Sequence, residues 1–123
     1  MEKYIPLLLK VQAQTQLWHW QTNTYASHVA LGSYYEAIQE LTDRFVETTK
    51  GKNPSGATPE LQNANIEIKG ILNVDLVEHY SECAKMFCEM SSDKYISSNI
   101  EIQDIVLDMI NETHKLVYLL RLK

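Results

Sequence analysis

Residues 27–51 read SHVALGSYYEAIQELTDRFVETTKG, and their apolar side chains return with the period of an α-helix. The apolar positions, spaced three and four residues apart, are Leu31, Tyr34, Ile38, Leu41 and Phe45. Ser27 is a residue type that caps the start of a helix, and Gly51 is a residue type that follows the end of one. The stretch therefore predicts an amphipathic helix over about residues 28–50 that buries one face.

The same helical period recurs on both sides of this stretch. Upstream it predicts a helix over about residues 5–23, with Pro6 in the first turn, where proline is tolerated. Downstream it predicts helices over about residues 75–91 and 98–121. Three glycines and two prolines interrupt residues 51–74, so we expect a long crossover connection between the second and third helices.

Four amphipathic helices joined by short, long and short connections predict an all-α fold, a four-helix bundle that forms one domain over residues 1–123. A long connection between helices two and three lets these helices run parallel, as in the ferritin-like variant of the bundle. The helical period is also compatible with a simple up-down-up-down bundle that carries one long loop. Of the two, we expect the ferritin-like arrangement.

The composition is that of an ordinary globular domain, with 45% apolar and 22% charged residues among 123. Eleven basic and sixteen acidic side chains leave a net charge of −5, which argues against general attraction to nucleic acid or anionic membranes. No apolar run approaches the roughly 18 residues that span a bilayer, and the first residues lack the features of a signal peptide. We therefore expect a soluble, cytoplasmic protein whose two cysteines, Cys83 and Cys88, are reduced thiols.

Two histidines lie near the junction of the first two predicted helices. His19 stands between Trp18 and Trp20 at the end of helix one, and His28 lies in the first turn of helix two. A histidine between aromatic residues is more often a hydrogen-bonded packing residue than a ligand, and a histidine near a helix start is more often a surface residue. The two become candidate metal ligands only together with acidic side chains.

Helix two carries four carboxylates spaced four, three and four residues apart. They are Glu36, Glu40, Asp43 and Glu47. At about 100° per residue they lie nearly opposite the apolar face, where a solvent-exposed acidic face is expected. They could take part in a metal site only if another subunit covered that face. No glutamate is followed three residues later by a histidine, so the usual ferritin centre within one chain is not expected.

The remaining polar residues are weaker candidates. His79 and Cys83 are four residues apart on helix three, but two ligands do not make a metal site, and Cys83 also lies on the apolar face. The sequence contains no nucleophile elbow, no P-loop and no dinucleotide-binding fingerprint. Hydrolase, kinase and dehydrogenase functions are therefore set aside.

Taken together, the histidines and acids resemble the pattern of the Dps family, the mini-ferritins. His19 is followed by Trp20, and the next helix begins near His28. Asp43 follows fifteen residues after His28, and Glu47 four residues after Asp43. The resemblance implies a ferritin-like fold with a metal site between subunits. In that site the two histidines of one subunit face the aspartate and the glutamate of its two-fold partner.

The resemblance implies that the protein binds and oxidises Fe(II), as a ferroxidase-type oxidoreductase, for iron sequestration or oxidative protection. The same ligands also accept Zn(II) or Mn(II). It further implies a homo-oligomer built from dimers, in this family typically of twelve subunits. The short chain is most similar to small phage-encoded proteins with the same His-Trp-Gln sequence, which implies a location in the host cytoplasm or in the virion.

Two other functions compete with this one. The first is a metal-free oligomeric structural or adaptor protein of phage type, such as a virion component or a binder of a host factor. The second is DNA compaction without iron oxidation. DNA binding is not expected, because the net charge is −5 and the chain lacks the Lys-rich N-terminal extension that many Dps proteins use to hold DNA.

Overall fold

The computed structural model describes residues 2–52 and 64–122, which fold into a helical bundle. A 3-10 turn, Glu2–Tyr4, leads into the first helix. The helices are α1 (Ile5–Gln21), α2 (Tyr25–Lys52), α3 (Leu76–Ser91), α4 (Lys94–Ser97) and α5 (Ile100–Arg121). The described residues contain no β-strand, so the predicted all-α fold is confirmed.

The ends of α2 differ from the prediction. The helix begins at Tyr25 because the Thr24 hydroxyl accepts the Ser27 amide at 3.3 Å, so Thr24 and not Ser27 is the capping residue. It also continues through Gly51, and the prediction that Gly51 ends it is wrong. A glycine in a helix costs only about 0.5–1 kcal/mol, which a helix of this length tolerates.

The connection between α3 and α5 also differs from the prediction that the last helix starts at residue 98. Asp93 accepts the amides of Tyr95 and Ile96 and so caps α4, a short helix that the sequence analysis did not predict. α5 then begins after Asn99. Ile96 is fully buried, so this single turn contributes to the core.

The predicted crossover, residues 51–74, overlaps α2 at its first two positions, and residues 53–63 lie outside the described residues. Residues 64–75 form neither helix nor strand. They end in a turn in which Asn73 has a φ of 63°, a left-handed conformation that asparagine tolerates. Asp75 then caps α3 by accepting the Glu78 amide at 3.1 Å.

Three side chains of α1 hold this described part of the crossover in place. The amide group of Gln14 donates to the Lys69 carbonyl at 2.8 Å and accepts the Lys69 amide at 2.9 Å. Trp18 Nε1 donates to the same carbonyl at 2.9 Å. One turn further, the Gln21 side chain accepts the Ile71 amide at 2.9 Å. These bonds satisfy backbone groups that no secondary structure pairs.

Contacts along α5 define its direction relative to α2. α2 packs on α1 and on α5, and α3 packs on α5. In the first half of α2, the Tyr34 hydroxyl lies 2.7 Å from the hydroxyl of Thr113, which is in the second half of α5. Lys52 at the end of α2 forms an ion pair with Glu101 at the start of α5. The two helices are therefore antiparallel.

α1 is antiparallel both to α2, which follows it after a short turn, and to α3. The hydroxyls of Thr15, in the second half of α1, and Tyr80, near the start of α3, are 2.7 Å apart. At the other end, Tyr4 donates to the Asp93 carboxylate at 2.8 Å. Because both are antiparallel to α1, α2 and α3 run in the same direction.

The core is made of the faces that the helical spacing predicted. The five apolar positions of α2 named above are all buried, and α3 and α5 contribute Tyr80, Phe87, Ile102 and Met109 among others. Cys83 lies in this core, and both cysteines are free thiols, as expected. Within the described ranges, no helix is both long enough and apolar enough to cross a membrane.

Candidate functional site

The short turn between α1 and α2 brings His19 and His28 together. Their rings stack, with centroids 4.0 Å apart and planes inclined by 16°. His19 Nδ1 donates to the His28 carbonyl at 2.7 Å, and His28 Nδ1 donates to the His19 carbonyl at 2.9 Å. The two histidines that the sequence singled out thus form a reciprocal, partly buried pair.

These two hydrogen bonds define which nitrogen of each ring is available. A carbonyl oxygen only accepts, so each Nδ1 must carry a hydrogen. In the neutral imidazole the remaining lone pair is then on Nε2, the atom free to bind a metal. A hydrogen bond from the other ring nitrogen to a backbone carbonyl is also what orients most histidine ligands in metal sites. The bond from His28 further satisfies the His19 carbonyl, which lies in the last turn of α1.

Gly32, one turn after His28, leaves the space that His19 occupies. A Cβ atom at this position would lie 2.7 Å from His19 Cε1 and 3.1 Å from His19 Nδ1. Real Cβ contacts are essentially never as short as the first of these distances. The His19 ring therefore rests directly on the α2 backbone, and a glycine inside this helix has a packing reason.

The acidic side chains of α2 lie away from the histidine pair. Glu36, Glu40, Asp43 and Glu47 are all exposed, as their position opposite the apolar face predicts. Fifteen helical residues, or about 22 Å, separate His28 from Asp43 along the helix. Within residues 2–52 and 64–122, no three histidine, cysteine, aspartate or glutamate side chains of one chain gather closely enough to hold a metal ion. The role of Asp43 and Glu47 as ligands stays a prediction.

An exposed apolar surface runs beside the histidine pair. Trp20 follows His19 and is 66% exposed, although tryptophan is usually mostly buried. It lines a shallow groove together with Leu9 and Tyr35 and with Ile66 and Ile68 of the crossover. Exposed apolar side chains that lie together in this way make the groove a candidate interaction surface.

His79 and Cys83, the weaker candidates, both lie on α3, and Cys83 is part of the buried core. The His79 ring meets the Trp18 ring edge to face, with centroids 4.6 Å apart. Burial, followed by the charges of Lys69 and Lys10, lowers the pKa of His79 below its ordinary value. Burial raises the pKa of the Cys83 thiol to about 12, which makes it a poor nucleophile and metal ligand at neutral pH.

Two features of the histidine pair escaped the sequence analysis. One is its reciprocal hydrogen bonding, which depends on residues nine apart across a turn. The other is the space that Gly32 leaves for the His19 ring. A glycine inside a predicted helix, one turn after a histidine, is a signal that could have indicated this close packing.

Comparison with known proteins finds one family. The match is to DUF5856, described as a family of unknown function, over residues 19–120. These residues include both histidines of the pair, Gly32 and the acidic side chains of α2. No curated protein matches the chain, and no solved structure matches it.

Proposed function

The chain belongs to the DUF5856 family, whose function is unknown, and we propose that it is a Dps-like mini-ferritin that binds and oxidises Fe(II) at a site shared by two copies. The observation that carries the proposal is the reciprocal pair of His19 and His28. Two imidazoles with oriented Nε2 atoms are good ligands for Fe(II), and also for Zn(II) and Mn(II). Two hydrogen bonds to backbone carbonyls of the same chain orient both rings.

The proposal includes a ferritin-like topology. It is supported by the parallel direction of α2 and α3, by the long connection between them, and by the packing of α2 on both α1 and α5. In a simple up-down-up-down bundle, consecutive helices are antiparallel, and α2 and α3 would run in opposite directions.

A second copy of the chain supplies the carboxylates in this proposal. Asp43 and Glu47 are too far from the histidine pair along α2 to reach it in the same chain, and both are exposed. In an isologous dimer, the histidines of each copy would meet the acids of the other, giving two equivalent sites. The exposed Trp20 and the apolar groove beside it support burial of this surface against a second copy.

The stacking of the rings sets how Fe(II) would bind as substrate. A ring nitrogen's lone pair lies in the ring plane, and two nearly parallel planes cannot both direct lone pairs at one ion about 2 Å away. Each imidazole would therefore hold its own ion, and carboxylates from the second copy would offset the charge of the two ions. With hydrogen peroxide as oxidant, two Fe(II) ions lose one electron each, and peroxide and two protons become two water molecules.

Metal-free protein should be titrated with Fe(II) in air and with peroxide, following ferric absorbance against a protein-free control. We expect saturation at about two irons per histidine pair, because each ring serves one ion. Asp43→Asn should abolish rapid oxidation, whereas Glu36→Gln, a matched change on the same exposed face, should leave it intact. Unchanged oxidation in Asp43→Asn would contradict the proposed site.

Mixing two inactive variants tests whether the site is shared. A His19→Gln chain and an Asp43→Asn chain are each expected to be inactive alone. In their mixed dimer, one of the two sites combines the intact histidines of one copy with the intact acids of the other. Random re-association of equal amounts should restore about a quarter of the wild-type sites. A site within one chain predicts no recovery.

The second candidate function is a metal-free structural or adaptor protein. The observation that favours it is the exposed apolar surface around Trp20, which can dock a partner whether or not metal binds. If this function is the right one, Trp20→Ser should weaken self-association or partner binding. The wild-type protein should also fail to accelerate Fe(II) oxidation. Sedimentation of the wild type and this variant, beside the iron assay, separates the two functions.

A further inference from the structure

The side of α5 that faces away from the bundle carries large apolar residues. Four of them, between 42% and 71% exposed, are Ile100, Leu107, Tyr118 and Leu122, the residue that follows the helix. By contrast, α3, which the structure describes over Leu76–Ser91, exposes no large apolar side chain. Single exposed apolar residues are common at protein surfaces, whereas several along one helix favour contact with another protein.

These residues belong to one continuous row of exposed side chains. Its successive members are three or four residues apart, which is the spacing of one helix face, and Asp108 lies beside the row. The row extends over about 33 Å, with Asn111 at its middle. We call it the α5 outer face, and its residues are Ile100, Asp104, Leu107, Asp108, Asn111, Lys115, Tyr118 and Leu122.

Charge is distributed unevenly along the α5 outer face. Its two carboxylates, Asp104 and Asp108, lie in the first half, and its amine, Lys115, lies in the second half. Among the residues that the structure describes, none of these three takes part in an ion pair. Glu112, three residues before Lys115, is less exposed and forms no ion pair with it either. The charges of this face are therefore available to a second molecule.

The other exposed charges of α5 lie at the edges of this face. Glu101 forms its ion pair with Lys52 of α2. On the opposite edge, His114 and Arg121 line a groove between α5 and α3, where Glu89 is also present. These edge residues have oppositely charged or polar neighbours in their own chain, so they do not define what binds the α5 outer face.

An antiparallel second copy of the α5 outer face complements this distribution of charge. With a two-fold axis at Asn111, Asp108 of each copy lies opposite Lys115 of the other. The apolar ends of the face, Ile100 and Leu122, also meet. Asn111 meets its own equivalent, and an amide group can both donate and accept a hydrogen bond across the axis. A parallel pair would instead place each charged side chain beside its own equivalent, which is unfavourable.

We propose that the α5 outer face binds the same face of a second copy of this chain, antiparallel and centred on Asn111. In this arrangement the Tyr118 hydroxyl donates to Asp104 of the other copy. The proposal does not depend on iron binding, because the histidine pair lies between α1 and α2. A two-fold contact on α5 in addition to a shared metal site builds an assembly larger than a dimer.

Sedimentation equilibrium of the whole chain tests this contact. The starting protein is the Trp20→Ser variant, because this change weakens association through the groove beside Trp20 and leaves α5 unaltered. We expect it to form dimers at concentrations below about 1 mM. Lys115→Asp should weaken these dimers by about tenfold or more, because it places a like charge opposite Asp108 of the other copy. Lys85→Asp, the matched change at an exposed lysine of α3, should leave them unchanged.

Mixing two weakened variants tests which residues meet. Asp108→Lys should weaken the dimer as much as Lys115→Asp does. In a mixed dimer of these two chains, every aspartate at the two positions faces a lysine of the other chain, so the affinity should return close to that of the starting protein. A starting protein that stays monomeric at about 1 mM would overturn the proposal. A mixture that associates no more strongly than the separate variants would do the same.

Disulfide crosslinking tests the orientation of the two copies. Cys88→Ser first removes the exposed thiol. Asn111→Cys then places a thiol at the proposed axis, where two copies should crosslink. Asp104→Cys should not crosslink to its equivalent, because seven residues on each side of the axis, or about 21 Å in all, separate the two. Efficient crosslinking of Asp104→Cys to itself would indicate a parallel pair and would contradict the proposal.

Discussion

Replacing Gly32 by alanine tests the packing of the histidine pair directly. In the interior of a helix, a change from glycine to alanine ordinarily stabilises the folded protein by about 1 kcal/mol. Here the added Cβ would lie 2.7 Å from His19 Cε1, so the ring must move away. That movement breaks the bond from His19 Nδ1 to the His28 carbonyl and the stacking of the two rings.

The size of the effect follows from these two losses. A hydrogen bond contributes about 0.5–1.5 kcal/mol, and a ring contact contributes a similar amount. After the helix gain of about 1 kcal/mol is subtracted, Gly32→Ala should lower the free energy of unfolding by about 0–2 kcal/mol. Gly51→Ala is the matched control in the same helix, because its Cβ would meet nothing within 4 Å. That variant should stabilise the protein by up to about 1 kcal/mol.

Urea denaturation of wild type and both variants measures the free energies. Nitrogen-15 chemical shifts of the histidine rings report the tautomers, and the Nδ1-protonated form should be lost at His19 only in Gly32→Ala. If Gly32→Ala stabilises the protein as much as Gly51→Ala and leaves the His19 ring signals unchanged, the close packing of His19 on α2 is refuted.

Two further predictions concern buried polar groups. Thr42 is buried and its hydroxyl has no hydrogen-bond partner among the residues that the structure describes, so Thr42→Val should be neutral or raise the free energy of unfolding by about 1 kcal/mol, measured in urea. The same change at Thr113, whose hydroxyl bonds Tyr34, should instead lower it. The pKa of His79 is lowered on folding. As the pH falls through about 6.5, the unfolded chain therefore binds more protons than the folded protein, and the free energy of unfolding should decrease. Thermal unfolding between about pH 7.5 and pH 5 should show this loss of stability. In His79→Gln the loss over the same pH range should be smaller. An identical pH dependence in the wild type and in His79→Gln would contradict the assignment to His79.

The helices and the core were predictable because they depend on neighbours along the chain. Apolar residues three and four apart share a face whatever the rest of the protein does, so the buried face of α2 followed from its spacing alone. Asp75 likewise caps α3 through the amide of Glu78, three residues away. The start of α2 and the short helix α4 were harder to predict, because several serines, threonines and aspartates near each helix start can act as the cap.

The histidines were recognisable as candidates from residue type and order, but their geometry was not. His19 and His28 meet only because a short turn folds α2 back along α1, and Gly32 matters only because the His19 ring lies against it. The direction of α3 depends on contacts between residues more than sixty positions apart, such as Thr15 with Tyr80. Periodicity reports which face of a helix is apolar. Packing between helices then defines which faces meet and where space remains between them.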